Sequence, residues 1–364
     1  IEQMHVAWYY NWNINRNWDV DPEVEYVPIR QSKWWPQLEK LADVGEVHHL
    51  LAYNEPDHPK PNNSNPTVEQ ALEQWPELEA ASAQYGLQLG SAACSNFDNP
   101  WQNEFMENAA ALGLQVDFMV FHKYPNPDKP QSITNAAKWY HDTYGMDVWL
   151  TEFNAADWSP PNDFTHAESC TFMLEALYRL ESADHVARYA IFPWDTGYGD
   201  QASASYVFEV DSAVPTPLGK LYASYRSDDI FGPHPETMYY LHNRAHHRRL
   251  KNDGNIVPTS ADVHEEGPQI EFQVINSADS AVLLYHQSTE QHLTFDGMTL
   301  LWSDSQFDIE SAQWKLVEGN HGWKFLEHQF FPVRINMDSE GLIGVSNKSA
   351  SNRTVQWAFA RRNN

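Results

Sequence analysis

Two apolar runs in this chain end in a carboxylate. Residues 50–57 read LLAYNEPD and close on Asn54-Glu55; residues 147–153 read DVWLTEF and close on Glu152. A charged group at the end of a buried run is expensive unless the site uses it. One such glutamate is ordinarily a loop ion-pair partner. Two of them, one preceded by an amide and both surrounded by aromatics, suit a shared task. A protonated and an ionised carboxylate facing each other are the equipment for hydrolysing a glycosidic bond. Sharing one site pushes their titrations apart, which keeps one of them available as an acid. Aromatic rings near strand ends offer flat faces to sugar rings, and Tyr9, Trp12, Trp35 and Trp194 are the candidate substrate contacts of this type. Asp195, next to Trp194, is placed to bind a hydroxyl.

These residues need elements to position them. Strand candidates lie at 5–10 (HVAWYY), 24–29 (VEYVPI), 47–53 (VHHLLAY) and 87–93 (LQLGSAA). Four more lie at 116–122 (VDFMVFH), 147–153 (DVWLTEF), 186–192 (VARYAIF) and 204–210 (ASYVFEV). Most are continuous apolar runs, as in a parallel sheet covered on both faces. Helical stretches separate them, among them 166–182, where Met173, Leu177 and Leu180 fall on one stripe. The fold class predicted is α/β, a (β/α)8 TIM barrel. In a barrel, residues at the C-terminal strand ends share one mouth, and Glu55 and Glu152, three βα units apart, face each other across it.

The texture changes after residue 235. Gln269-Ile-Glu-Phe272, Gln313-Trp-Lys-Leu316 and Gln356-Trp-Ala-Phe359 recur at spacings of 44 and 43 residues. Matching openings begin at Tyr240, Leu284 and Phe325. Three β-rich copies of one length resemble a β-trefoil of the ricin-B type, an all-β domain that buries one shared core. Leu241, Leu250 and Phe272, with Leu284, Leu293, Trp314, Phe325, Ile335 and Trp357, are its expected core. Asp253, Asp296 and Asp338 recur three residues beyond Leu250, Leu293 and Ile335 and are the candidates for weak sugar binding in that domain. His242 and His246 are expected on its surface. The expected organisation is a catalytic domain at 1–228 and a trefoil, possible carbohydrate-binding, at 236–364.

The ordered motifs VAWYYNW, EYVPI, LLAYNEPD, LGSAA, VDFMVFHKY and VWLTEF resemble glycoside hydrolase family 128, whose retaining (β/α)8 enzymes cut β-1,3-glucans. The resemblance runs from about residue 5 to 222, where TPLGKLY fits the last segment. It implies Glu55 as general acid/base and Glu152 as nucleophile. It also implies that Asn54 bonds the sugar 2-hydroxyl and the nucleophile, that Tyr124 orients Glu152, and that His122 lines the same wall. The function expected is retaining, endo-acting hydrolysis of a β-1,3-glucan. The alternatives are the same mechanism on an algal galactan such as agarose or porphyran, and a carbohydrate-binding protein without catalysis.

Bulk properties bound these readings. The chain has 364 residues and a formal charge of −27. Residues 1–234 hold 12 Lys and Arg against 34 Asp and Glu, and the remainder 11 against 16. Such acidity repels a phosphate backbone, so nucleic acid is not an expected partner. No apolar run approaches the roughly 20 residues of a membrane span. Phosphate loop, nucleophile elbow and zinc spacing are absent from the sequence, so no cofactor and no metal are expected. The expected partner is a polysaccharide or oligosaccharide, met by a secreted or periplasmic monomer. Cys94 and Cys170 make no disulfide framework; pairing and two buried thiols both stay open.

Overall fold

A computed structural model describes residues 4–16, 20–32, 35–58, 66–159, 163–194, 204–209, 212–235, 237–277, 280–304 and 309–362. The chain forms two compact units. One comprises Ile1–Pro125, Gln131–Asn154 and Ala183–Phe192; the other comprises Asn126–Pro130, Ala155–Ser182 and Pro193–Asn364.

Seven parallel strands build the first unit: β1 (Trp8–Tyr9), β2 (Glu25–Tyr26), β3 (His49–Leu50), β4 (Gln88–Leu89), β5 (Met119–Lys123), β6 (Val148–Phe153) and β7 (Val186–Ile191). β1 pairs β2, β3 pairs β4, and β5, β6 and β7 run side by side. Single parallel bridges, Ile29 to Leu51 and Gly90 to Phe118, join these groups in chain order. Gly90 is required where it stands, since a Cβ would meet the Phe118 ring at 2.6 Å. Three helices alternate with the strands: α1 (Val68–Tyr85), α2 (Pro100–Leu112) and α3 (Gln131–Tyr144). Each has a local cause. Thr67 and Gln70 form a capping box on α1, Asn99 caps α2 ahead of Pro100, and Gly86 and Gly113 end both in the left-handed conformation. α1 buries Val68, Ala71, Trp75 and Leu78, the i, i+3, i+4 stripe of a helix covering a sheet.

Trp8, Tyr10, Val27, Ile29, Leu51, Ala93, Phe118, Val120 and Trp149 pack into one cluster. Segments from six successive strands thus share one interior. At one place this interior is charged: Glu25 meets Arg188 at 2.7 Å and His49 at 2.8 Å. The stretch 204–210 does not supply the eighth strand expected of it. Among the described residues it makes one antiparallel bridge, Phe208 to Pro215. Glu209 N reaches Val214 O at 3.0 Å, so the chain turns back on itself, and Pro215 lacks the N–H that would extend a ladder.

The second unit holds α4 (His166–Glu181), α5 (Pro217–Ser224) and a 12-stranded sheet. The strands are β8 (Met238–Asn243), β9 (Arg249–Lys251), β10 (Thr259–Ala261), β11 (Phe272–Asn276), β12 (Val282–His286) and β13 (Gln291–Phe295), then β14 (Leu300–Ser303), β15 (Trp314–Glu318), β16 (Lys324–His328), β17 (Arg334–Met337), β18 (Ile343–Ser346) and β19 (Trp357–Arg361). β8, β11, β12, β15, β16 and β19 close into a ring, because β19 pairs both β16 and β8. Hairpins β9–β10, β13–β14 and β17–β18 hang from β8, β12 and β16. The pattern recurs with the sequence period. Trp314 donates to Leu293 O at 2.9 Å, and Trp357 donates to Ile335 O at 3.1 Å. The expected core residues are all in the buried cluster inside the ring except Phe325, which is buried as well.

Asp253, Asp296 and Asp338 accept from backbone N–H groups two to four residues ahead, so each caps its own turn. His242 is not on the surface: it is buried, and Thr171 Oγ1 of α4 lies 2.7 Å from its Nε2. α4 is buried on nearly every side, well beyond one stripe. Its Glu175 takes two bonds from Arg179, one from Arg244 at 2.7 Å and one from Trp323 at 3.0 Å. Cys94 and Cys170 are free and buried. Among the described residues no helix is long and apolar enough to cross a membrane.

Candidate active site

The site lies at the C-terminal ends of the parallel strands of the first unit. Glu152 is on β6 itself and is 5 % exposed. Tyr10 and Trp12 follow β1, and Tyr124 follows β5. Three donors converge on Glu152: Tyr10 Oη at 2.7 Å and Trp12 Nε1 at 3.0 Å on Oε1, and Tyr124 Oη at 2.5 Å on Oε2. Both carboxylate oxygens are therefore fixed. Burial, and next the nearby Glu152 charge, push the hydroxyls of Tyr10 and Tyr124 well above the usual tyrosine range, so both remain proton donors.

Glu55 reaches the same place from the turn after β3. Its backbone is in the left-handed region, φ 45°, and its N–H bonds Ala93 O at 2.7 Å. Asp57 secures that turn. It accepts from Ser95 N at 3.0 Å, Asn96 N at 2.9 Å and Asn96 Nδ2 at 2.9 Å, tying the loop after β3 to the segment after β4. His122, on β5 and fully buried, links the two glutamates, with Nδ1 3.1 Å from Glu55 and 3.4 Å from Glu152. One oxygen of Glu55, one of Glu152 and a ring nitrogen of His122 all lie within 4.8 Å of one another. Geometrically these three atoms could also enclose a cation; the donors already on both oxygens of Glu152 compete with that use.

Burial opposes a charge on His122, but the two carboxylates outweigh it and raise its pKa above the ordinary value. The imidazolium thus contributes stability in full below about pH 6.5 and loses it as pH rises through the raised value. Urea unfolding should show wild type exceeding His122→Gln by a wider margin at about pH 5.5 than at about pH 8.5. Equal margins at both would mean that the carboxylates do not hold this proton.

The other expected contacts divide. Asn54 stands beside Glu55 with its Oδ1 buried and without a partner among the described residues, and no bond from it to Glu152 forms. Tyr9 faces away from the glutamates: strand alternation turns its ring onto Tyr26, at 5.2 Å, and gives the site Tyr10 instead. Trp194 is 4 % exposed and so offers no face for stacking, whereas Trp35 is 43 % exposed. Asp195 lies outside the described residues. Tyr10 and Asp57 are positions of the candidate site that sequence reasoning missed. The parity of a two-residue strand was the signal for the first; donors that all lie in the segment after β4 left none for the second.

The family model for the glycosyl hydrolase catalytic core matches residues 1–222. Alkali-sensitive linkage protein 1 of Schizosaccharomyces pombe is 27 % identical over 237 residues; the match covers 60 % of this chain, which spans 40 % of that relative's length. Among solved structures, a family 128 subgroup I endo-β-1,3-glucanase from Amycolatopsis mediterranei, in complex with laminaripentaose, is 26 % identical with a TM-score of 0.53, over 61 % of this chain and 92 % of that one. A subgroup II endo-β-1,3-glucanase from Sorangium cellulosum is 25 % identical with a TM-score of 0.52, over 62 % and 93 %. These likenesses make this portion (β/α)8-like, although the described residues form seven of its parallel strands.

Proposed function

The chain belongs to the glycosyl hydrolase catalytic core family, and from that premise we propose that it cleaves a β-1,3-glucan by a retaining, endo-acting double displacement. One observation carries the mechanism: oxygens of Glu55 and Glu152 approach within 4.8 Å while three donors immobilise Glu152. Retaining enzymes hold their carboxyl groups about 5–5.5 Å apart, and inverting ones about 6.5–9.5 Å, to leave room for a water; the near approach of one oxygen from each glutamate supports the shorter spacing. Glu152 is the nucleophile. It attacks the anomeric carbon as Glu55 passes its proton to the leaving oxygen; Glu55 then takes a proton from water, which displaces Glu152 from the opposite face, the one the leaving group vacated. Tyr10, Trp12 and Tyr124 aim the nucleophile. His122 bonds the acid/base from below, and the vacant acceptor on Asn54 suits a sugar hydroxyl.

The substrate reading rests on the two glucanases that resemble this chain at 25–26 % identity. A polymeric glucan does not cross a bilayer, so the reaction belongs outside the cytoplasm. Laminarin should yield new reducing ends and a mixture of oligosaccharide lengths, and agarose and porphyran should yield none. Proton NMR of the first laminarin products should show the β-anomer. An initial α-anomer would overturn the retaining step, and galactan cleavage without laminarin cleavage would overturn the substrate.

We read residues 1–228 as the catalytic domain and 236–364 as a β-trefoil. The six-membered ring with three hung hairpins and the 43–44-residue recurrence support the second reading. The recurrent aspartates are engaged in capping their turns, which favours a structural role for the trefoil over sugar binding at those positions.

A further inference from the structure

The second unit contains a cavity of about 310 Å³ that no step of the reaction uses. Its walls come from α5, β8, β9, the loop after β10 and the end of β19. Among the lining residues are four cations, Lys220, Arg249, Arg361 and Arg362, against two anions, Glu266 and Glu271. In a chain of net charge −27 that balance is a local reversal.

Arg249 stands apart from the others. Lys220 pairs Glu266, Arg361 pairs Asp229 at 2.6 Å, and Arg362 pairs Glu271 at 3.1 Å. Arg249, only 6 % exposed, has no carboxylate partner among the described residues. Its Nε is buried without a hydrogen-bond partner. Nη1 reaches only the Glu265 carbonyl, at 3.5 Å, and the guanidinium lies 4.4 Å from the Tyr240 ring centre. A guanidinium stays charged in proteins, and burying it without a bonded partner is costly. Tyr240 supplies a cation–π contact, which returns only part of that cost. The fold thus keeps a buried cation at the wall of an open cavity with no carboxylate bonded to it among the described residues, and Glu266 and Asp262 act on it only from a distance.

We infer that this cavity is a binding site for an oxyanion, a carboxylate, sulfate or phosphate group, whose charge Arg249 receives with Lys220 and Arg362 at its flanks. The planar fork of the guanidinium suits two oxygens of one such group. The volume exceeds that of a lone ion, since a water occupies about 30 Å³. A sugar bearing a carboxylate therefore fits as well as a free anion.

The test is calorimetric titration of the full chain with sodium sulfate, inorganic phosphate and sodium glucuronate. Sodium chloride at matched ionic strength and neutral glucose are the controls. Saturable binding of at least one oxyanion, absent with chloride and glucose, is expected. Sulfate or phosphate binding would mark a site for free anions, and glucuronate alone a site for an acidic sugar. Arg249→Lys should weaken binding about tenfold to a hundredfold, the value of charge-assisted bonds lost, and Arg249→Met should abolish it. Arg334→Met, which breaks a pair with Glu327 outside the cavity, should leave it unchanged. Thermal melting separates this from mere misfolding. In chloride, Arg249→Met should melt no lower than wild type, because a costly charge is gone, yet it should lose the upward shift that the oxyanion gives wild type. No saturable oxyanion binding by the wild type, or equal binding by Arg249→Met, would overturn the assignment.

Discussion

Glu152→Gln is expected to lower kcat on laminarin by about 10⁴-fold or more, as losing a nucleophile does elsewhere, with the melting temperature nearly unchanged. The local geometry explains why the fold should tolerate the change. Glutamine keeps a carbonyl oxygen where Tyr10 and Trp12 donate, and the Tyr124 hydroxyl can turn to accept from the new amide. What disappears is the negative charge at the attacking atom. Glu55→Gln should cost about 10²–10⁴-fold on the polymer, the usual worth of positioned acid–base catalysis. An aryl glycoside separates the two roles. A dinitrophenyl leaving group departs without a proton, so Glu55→Gln should still release a burst of phenolate from a dinitrophenyl laminaribioside and then stall, while Glu152→Gln should release none. A burst from Glu152→Gln, with none from Glu55→Gln, would exchange the assignments.

Glu175→Ala is expected to destabilise the second unit by about 3–5 kcal/mol, the cost of breaking a buried ion pair from one side. Glu175 is 5 % exposed and holds Arg179, Arg244 and Trp323 together. Its loss strands two guanidinium groups and an indole N–H where water does not replace the carboxylate. Arg244 retains Gln356 at 2.7 Å and the Trp323 face at 5.2 Å, both far weaker than the bond it loses. Urea unfolding followed by tryptophan fluorescence measures this, Trp323 being one of the chain's 15 tryptophans. Glu175→Gln, which keeps an acceptor, should lose less. A shift under about 1 kcal/mol for the alanine variant would place the α4 contact among marginal surface pairs.

Glu55 and Glu152 were legible in the sequence because a carboxylate closing an apolar run contradicts the burial pattern around it. Six strands at 5–10, 24–29, 47–53, 87–93, 116–122 and 147–153, and the one at 186–192, read correctly as continuous apolar runs. The residues 204–210 carry the same apolar pattern, but those described bond back to Val214 and Thr216, with one bond from Val207 N to Trp194 O at 2.8 Å in place of a ladder. Tyr9 and Tyr10 were interchanged for a different reason: adjacent positions on a strand face opposite ways, and one register slip exchanges them. Glu175 was hidden within a helix read as one apolar stripe. Composition alone does not reveal that a helix covered on nearly every side needs its one buried carboxylate paired, nor that the partners lie in strands and loops some seventy to a hundred and fifty residues further on.

The backbone at Glu55 has a consequence of another kind. At φ 45° an L-residue with a side chain is strained by roughly 1–2 kcal/mol, which glycine avoids and asparagine tolerates best. Glu152 sits on an ordinary strand and carries no such burden. The two halves of the proposed catalytic pair are therefore unequal under drift. In a lineage released from hydrolysis, folding alone favours replacing Glu55 by glycine or asparagine, while Glu152, bound by three neighbours, has no comparable incentive to change. Descendants of this fold that have ceased to be enzymes should bear that order of loss: the acid/base position first, the nucleophile long after.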